Sequence, residues 1–243
     1  MTKLFVFDLD GVLIDSLSNM ESAWKAVKVK HEVKNPFSDY KNQIGKPFIE
    51  IMRCLGLEKQ HLEIYDTYKT YSRMCLDKIP LYDGVYDTLT ELKSQGHKIA
   101  LCTSKSRETV ALLEYKLPEF DYISCPKQGL RGKPIRWFQI ELIKEIKSLQ
   151  KKYGNNLRPY IFGDFNHESQ IERTINSICH EFKLVDIYSY LHPNTPEFKT
   201  YFRGKRRIDR GLIPEITAKK MKQHSSNPTV YYEPFHHRFA VIT

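Results

Sequence analysis

Long apolar runs and paired cysteines are both absent from this chain of 243 residues. No apolar run approaches the roughly 20 residues that a helix needs to cross a bilayer, so we expect no membrane partner. The apolar stretch at residues 4–7 is too short for the core of a signal peptide, and Asp8 interrupts it. The five cysteines include no C-x-x-C pair. This pattern argues against a zinc site or a disulfide framework and favours reduced thiols in a cytoplasmic protein.

The chain does contain enough apolar material to form a core. Hydrophobic residues make up 41% of the sequence and aromatic residues 12%, which argues against wholesale disorder. The net charge of +9 is uneven, because residues 1–130 are balanced and the whole excess lies in residues 131–243. A basic half of this kind can make weak contact with nucleic acid. The alternative is a solvated surface, and this applies also to the charged run RGKRRIDR at residues 203–210.

Strands and helices alternate along most of the sequence. Continuous apolar segments predict buried strands at residues 4–7, 99–102 and 160–162, and residues 120–123 are predicted to be extended. Helices are predicted over residues 16–34, 47–79, 107–116, 137–152 and 168–182, with a further helix opening at Asp83-Gly84. Beyond residue 182 the pattern weakens until a predicted hairpin, or two short strands, at residues 231–243. The alternation predicts an α/β fold, with a doubly wound, Rossmann-like parallel sheet.

Five polar residues are candidates for the carboxyl edge of that sheet: Asp8, Asp10, Thr103, Lys133 and Asp164. Ligands of such sheets bind beyond the carboxyl ends of the strands, so we expect these side chains to form one site. Three carboxylates can hold Mg²⁺ through their oxygens. A hydroxyl and an ammonium can neutralise a phosphoryl group, and a spare carboxylate can attack it. The set therefore predicts Mg²⁺-dependent phosphoryl chemistry.

Four segments carry a resemblance to a known family: VFDLDGVLIDS, KIALCTSK, RGKP and YIFGD, in this order. They resemble the four motifs of the haloacid dehalogenase superfamily of hydrolases, in its capped phosphatase form. The resemblance covers residues 1–134 and reaches Asp164. It implies a core of residues 1–14 and 81–165, with a helical cap at residues 15–80 inserted after the first strand. Residues 166–243 would then be a basic α+β extension.

The resemblance also implies roles for single residues. Asp8 would be the nucleophile that forms an aspartyl-phosphate, and Asp10 would be the general acid and then the general base. Thr103 and Ser104 would bind phosphate oxygens of a small phosphorylated metabolite. Lys133 would pair with the nucleophile and with the phosphoryl charge. The implied activity is that of a phosphohydrolase acting on a small phosphomonoester.

The implied metal site consists of Asp8, Asp10 and Asp164, which would hold Mg²⁺. Members of the family usually have a second Asp about four residues after the position of Asp164. This chain has Glu168 there. Its longer carboxylate is a weaker candidate for contact with a metal-bound water.

The part of the chain after Asp164 carries a second resemblance. The segments GDFNHESQIERTI, KLVDIYSYLHP, RRIDR and HHRFAVIT resemble the C-terminal half of the endonuclease/exonuclease/phosphatase superfamily, with Asn166, Asp209 and His237 at motif positions. The alternative function is therefore a metal-dependent phosphodiesterase, or a nucleic-acid-binding remnant of one. The metal-binding Glu of that superfamily comes from an N-terminal half that this chain replaces, so we assign Asp164 to the phosphatase site. The sequence leaves open whether residues 166–243 complete the sheet.

Overall fold

The structure is a computed structural model, which describes residues 2–44, 48–103, 105–125, 135–154, 156–164, 171–194, 209–224, 230–233 and 238–241. The strands are β1 (Lys3–Phe7), β2 (Lys98–Cys102), β3 (Tyr122–Ser124), β4 (Arg158–Asp164), β5 (Leu184–Asp186), β6 (Asp209–Pro214), β7 (Val230–Glu233) and β8 (Arg238–Val241). The α-helices are α1 (Leu17–Lys30), α2 (Phe37–Lys41), α3 (Phe48–Cys54), α4 (His61–Met74), α5 (Val85–Ser94), α6 (Arg107–Ala111), α7 (Ile135–Tyr153), α8 (Ile171–Phe182), α9 (Ile187–Leu191) and α10 (Glu215–His224). Short 3₁₀ turns lie at Glu58–Gln60, Leu76–Lys78 and Glu114–Lys116.

Six of these strands form one sheet, in the order β3-β2-β1-β4-β6-β5. β1 pairs in parallel with both β2 and β4, and β2 pairs in parallel with β3. β6 runs antiparallel to both of its neighbours, β4 and β5. The predicted α/β fold with a mostly parallel, Rossmann-like sheet is confirmed, with one antiparallel strand as an addition. The question left open by the sequence is also answered, since β5 and β6 both come from residues after 166.

Helices pack on both faces of this sheet, as a doubly wound fold requires. On one face, Leu4 and Val6 of β1 contact a buried cluster that includes Leu142 of α7 and Ile178 of α8. On the other face, Phe5 and Phe7 pack against a second cluster that includes residues of α5 and α6. The period-2 alternation along β1 thus divides the core into two layers. The helices predicted over residues 137–152 and 168–182 contribute to the first of these layers.

Residues 15–80 contain α1 to α4, which share a buried cluster of their own. Its members are Trp24, Val27, Val33, Tyr40, Ile51, Met52 and Ile64, all from this segment. The single helix predicted over residues 47–79 is wrong, because the chain forms α3 and α4 with a break at Gly56, whose φ is +74°. Such a left-handed conformation ends a helix at low cost only for glycine. The helix predicted over residues 16–34 ends at Lys30, shortly before Glu32, whose φ is +53°.

The two connections between this segment and the rest of the chain lie side by side. The backbone N–H of Asp15 donates to the carbonyl of Pro80 at 3.0 Å, and the N–H of Tyr82 donates to the carbonyl of Leu13 at 3.1 Å. An isolated bridge joins Ile14 to Leu81 between these two hydrogen bonds. Entry and exit are therefore tied together as a short two-stranded neck.

The segments after residue 182 differ most from expectation. The structure has four elements there that the weak sequence pattern did not predict: β5, α9, β6 and α10. The charged run at residues 203–210 is not wholly a solvated surface, because Arg210 is the second residue of β6 and is only 4% exposed; residues 203–208 lie outside the described residues. The predicted hairpin is confirmed as β7 paired with β8. Among the described helices, none is both long and apolar enough to cross a membrane.

Candidate active site

Asp8 follows directly after β1, at the centre of the carboxyl edge of the sheet. Its backbone N–H donates to the carbonyl of Phe162 in β4 at 3.0 Å, so the chain stays tied to its neighbour beyond the end of the strand. The side chain is buried, and its Oδ1 accepts the N–H of Leu9 at 2.8 Å. A Cβ added at Gly163 would lie 3.3 Å from the Cβ of Asp8. The glycine therefore allows β4 to pass close to the Asp8 side chain.

A tight turn after Asp8 places Asp10 next to it. Gly11 has a φ of +76° and donates its N–H to the carbonyl of Ile14 at 3.0 Å. The N–H groups of Leu13 and Ile14 both donate to the carbonyl of Leu9, at 2.9 and 3.0 Å. These hydrogen bonds fold the chain back on itself immediately beyond Asp10. The turn thus keeps Asp10 at the edge where β1 ends.

The carboxylate of Asp10 is paired with a lysine. Nζ of Lys105 lies 3.0 Å from Oδ1 of Asp10, and the two side chains are 17% and 25% exposed. Oδ1 is buried and makes no hydrogen bond within the described part of the chain, so the contact is an ion pair without the angles of a hydrogen bond. Lys105 stands in the segment KIALCTSK, from which the sequence interpretation took only Thr103 and Ser104. No local pattern marks it, because its partner is 95 positions away along the chain.

Thr103 lies at the end of β2, the neighbour of β1. It is 2% exposed, and its N–H donates to the carbonyl of Ser124 at 3.1 Å. Its Oγ1 accepts the N–H of Lys105 at 3.2 Å. The loop after β2 therefore carries a buried hydroxyl and an ammonium to the same edge as the two aspartates.

The remaining candidates are placed only in part. Those outside the described residues are Ser104, Lys133, Asn166, Glu168 and His237. Asp164 is the last residue of β4, and since Phe162 pairs with Phe7 it lies at the edge where β1 also ends. Asp209 is the first residue of β6 and is the pairing partner of Asp164 in the antiparallel register. The backbone thus brings both positions to this edge.

The donor chemistry of the described residues fits Mg²⁺. Asp8 and Asp10 offer hard carboxylate oxygens, and the buried Oδ1 of Asp10 accepts no hydrogen bond from the described residues. Within these residues, no group of three His, Cys, Asp or Glu side chains is suited to hold a metal ion. A third carboxylate from Asp164 therefore stays a prediction.

Tyr40 and Tyr68 form an aromatic pair in the segment 15–80. Burial raises the pKa of Tyr40 to about 12, although the hydroxyl of Tyr68, which donates to Tyr40, opposes part of the rise. The pKa of Tyr68 is raised chiefly by burial, then by Tyr40, and also by the charge of Asp10. Tyr68 also packs against the buried cluster of this segment, and its ring centroid lies 5.3 Å from that of Tyr40.

Comparison with known proteins identifies relatives for this architecture. The chain is 33% identical to the pyrophosphatase PpaX of Halalkalibacterium halodurans over 119 residues. The matched region covers 47% of this chain and 55% of that protein. The tyrosine-protein kinase PtkA of Mycobacterium tuberculosis is 31% identical over 109 residues, 44% of this chain and 38% of that protein. The chain thus spans between about two fifths and just over half of the length of these curated relatives.

The fold also matches solved structures. A haloacid dehalogenase-like family hydrolase from Streptococcus pneumoniae superposes with a TM-score of 0.55 at 22% identity, covering 68% of this chain and 78% of that one. The family described as haloacid dehalogenase-like hydrolase matches residues 5–164, which is more than half of the chain. The resemblance of the later residues to a nuclease superfamily stays a prediction, because the matched region ends at Asp164. The chain belongs to the haloacid dehalogenase-like hydrolase family.

Proposed function

We propose that this protein is a Mg²⁺-dependent phosphohydrolase that acts on a small phosphomonoester through an aspartyl-phosphate intermediate. The observation that carries the proposal is the placement of Asp8, Asp10 and Thr103 at the ends of two adjacent parallel strands. A buried carboxylate, a second carboxylate on a fixed turn and a buried hydroxyl are the groups that such a reaction needs. The family assignment and the relatives named as a pyrophosphatase support the same chemistry.

In the first half of the reaction, Asp8 acts as the nucleophile. Its carboxylate oxygen forms a bond to phosphorus while the bond from phosphorus to the leaving oxygen breaks. Asp10 gives a proton to that leaving oxygen, so that it departs as an alcohol. Thr103 donates its hydroxyl to a phosphoryl oxygen, and Lys133 is proposed to neutralise the phosphoryl charge.

In the second half, water breaks the bond between phosphorus and Asp8. Asp10, now a carboxylate, takes a proton from the water as it attacks phosphorus, and Asp8 leaves as a carboxylate. Asp8, Asp10 and Asp164 are proposed to hold Mg²⁺. When bound, the ion neutralises charge on the phosphoryl oxygens and lowers the repulsion between them and the nucleophile.

The cap is proposed to act as a lid. Residues 15–80 bury an apolar cluster of their own and join the core at the two-stranded neck, where Leu76 and Ile79 pack in the core cluster of the sheet. A lobe with its own core and a narrow connection can move as a unit and exclude water from the site.

The proposal is tested by the Asp8→Asn variant. It should lose turnover of small phosphomonoesters and the acid-stable phosphate label on the protein, since an amide oxygen is a poor nucleophile. Asp87→Asn on the exposed face of α5 is the matched control and should keep both. Inorganic pyrophosphate should be among the substrates because one relative is named for it. Phosphomonoester hydrolysis that persists in Asp8→Asn would contradict the proposal.

A further inference from the structure

Lys105 is the side chain of this site to which the proposed reaction gives no task. Its ammonium lies 3.0 Å from Oδ1 of Asp10, and only 17% of its side chain is exposed. Its backbone N–H donates to Oγ1 of Thr103 at 3.2 Å, so its position is fixed relative to the hydroxyl proposed to bind phosphate. Lysines on a surface normally extend their ammonium into water. This one is directed into the site instead.

The distance to Asp10 limits where the ammonium lies relative to a bound substrate. A proton donor sits about 2.6–3.2 Å from the oxygen that it protonates. The ammonium is 3.0 Å from the proposed donor. Adding these lengths puts the ammonium within roughly 6 Å of the leaving oxygen. A charged group of the substrate that lies one or two bonds beyond the leaving oxygen can therefore contact the ammonium of Lys105.

We propose that Lys105 selects substrates whose leaving group is itself an anion, such as a second phosphate or a short carboxylate. The inference rests on the proposed function, because it requires Asp10 to face the leaving oxygen. The Asp10 carboxylate holds the ammonium in place, and the anion on the leaving group competes with Asp10 for it. Low exposure strengthens this contact, since a charge shielded from water interacts over a lower effective dielectric. A neutral alcohol offers no such partner.

A different role for Lys105 makes a different prediction. If the lysine only positions Asp10, its removal impairs proton donation to every poor leaving group equally, whatever charge that group carries. If it contacts the leaving group, the loss depends on the charge of the leaving group and appears chiefly in KM. The two roles are therefore separated by comparing substrates rather than by one rate.

The experiment compares inorganic pyrophosphate with glycerol 2-phosphate, whose leaving group is a neutral alcohol. Lys105→Met should lower kcat/KM for pyrophosphate by about tenfold to a hundredfold, the usual range for loss of one charge-assisted hydrogen bond. The effect on glycerol 2-phosphate should be less than about threefold. Lys105→Arg should restore most of the loss because it keeps the charge. Lys151→Met, on the exposed face of α7, is the control and should change neither substrate.

Binding is measured separately from turnover. In an Asp8→Asn background, Lys105→Met should weaken pyrophosphate binding in calorimetry and leave glycerol 2-phosphate binding nearly unchanged. Equal losses for both substrates would overturn the inference and leave the proposed function standing. A wild-type protein that hydrolyses neither pyrophosphate nor any phosphomonoester would overturn both the inference and the proposed function. If Lys105→Met does not fold, Lys105→Gln removes the same charge and carries the same test.

Discussion

Two arginine–carboxylate pairs in this chain have the same length and very different burial. Nη1 of Arg210 lies 2.9 Å from Oδ2 of Asp186, with side chains that are 5% and 10% exposed. Nη2 of Arg53 also lies 2.9 Å from Oε1 of Glu58, but these side chains are 61% and 51% exposed. The buried pair joins β6 to the end of β5, whereas the exposed pair lies beside α3. Replacing each arginine by methionine therefore tests what burial alone adds.

The expected magnitude follows from the buried carboxylate. Arg210→Met leaves Asp186 in a place with little access to water and removes the guanidinium beside it. Breaking one half of a buried pair costs about 3–5 kcal/mol in the free energy of unfolding. That is a large share of the roughly 5–15 kcal/mol that stabilises a typical domain. Arg53→Met should be close to neutral, because its pair is solvated and screened by salt.

The assay is urea unfolding followed by circular dichroism at one pH and one salt concentration. Asp186 also caps α9 by accepting the N–H groups of Tyr188 and Ser189 through Oδ1. Asp186→Asn keeps that acceptor and removes the charge, so the double variant with Arg210→Met should be more stable than Arg210→Met alone. It also keeps the test open if Arg210→Met does not fold. Equal unfolding midpoints for Arg210→Met and Arg53→Met would refute the reasoning.

Three further predictions concern single residues. Burial, and then the charge of Asp186, raise the pKa of Cys179 to about 11, so about one thiol in a thousand is ionised at pH 8 and alkylation should be slow until urea unfolds the chain. Burial raises the pKa of Tyr40 from 10 in the unfolded chain to about 12 in the folded protein. The contribution of Tyr40 to the free energy of unfolding is therefore complete below pH 10 and is lost as the pH rises towards 12. Urea unfolding at about pH 9 and about pH 11 should show a smaller loss of stability for Tyr40→Phe than for the wild type. Gly163→Ala puts a methyl group 3.3 Å from the Cβ of Asp8 and should lower kcat with little change in fold. Gly211→Ala puts a methyl group 3.2 Å from Ile187 and should lower stability rather than kcat. Equal kcat values for the two variants would contradict this prediction.

The central strands could be predicted from the sequence because each is a short apolar run that ends in a polar residue. Side chains of residues 4–7 and 99–102 pack against apolar clusters on both faces of the sheet, which explains why these segments are continuously apolar in the sequence. The helix at residues 137–152 was equally clear, since Leu142 and Ile146 recur at helical spacing and both are buried in the core. The positions of Asp8 and Thr103 at strand ends follow from the same rule.

The extension could not be predicted in this way, for reasons that lie in long-range contacts. β5 has three residues, too few to show a period, and β6 begins with Asp209 and Arg210, inside a charged run. The guanidinium of the buried Arg210 pairs with Asp186, which lies 24 positions earlier in the chain. Lys105 presents the same difficulty at the active site, since nothing in its neighbourhood indicates that it faces Asp10. Local patterns predict elements, but they do not specify which distant charges pair.

The position of β6 bears on what the extension contributes. β6 pairs with β4 along four residues, and its partners include Gly163 and Asp164. A Cβ added at Gly163 would lie only 3.3 Å from the Cβ of Asp8, so β4 passes close to this side chain. Without β6, the side of β4 away from β1 would be an open edge with unpaired backbone groups, which folded proteins normally cover. Residues 209–214 therefore support the strand that carries Asp164, and the six-stranded sheet extends beyond the end of the family match at residue 164.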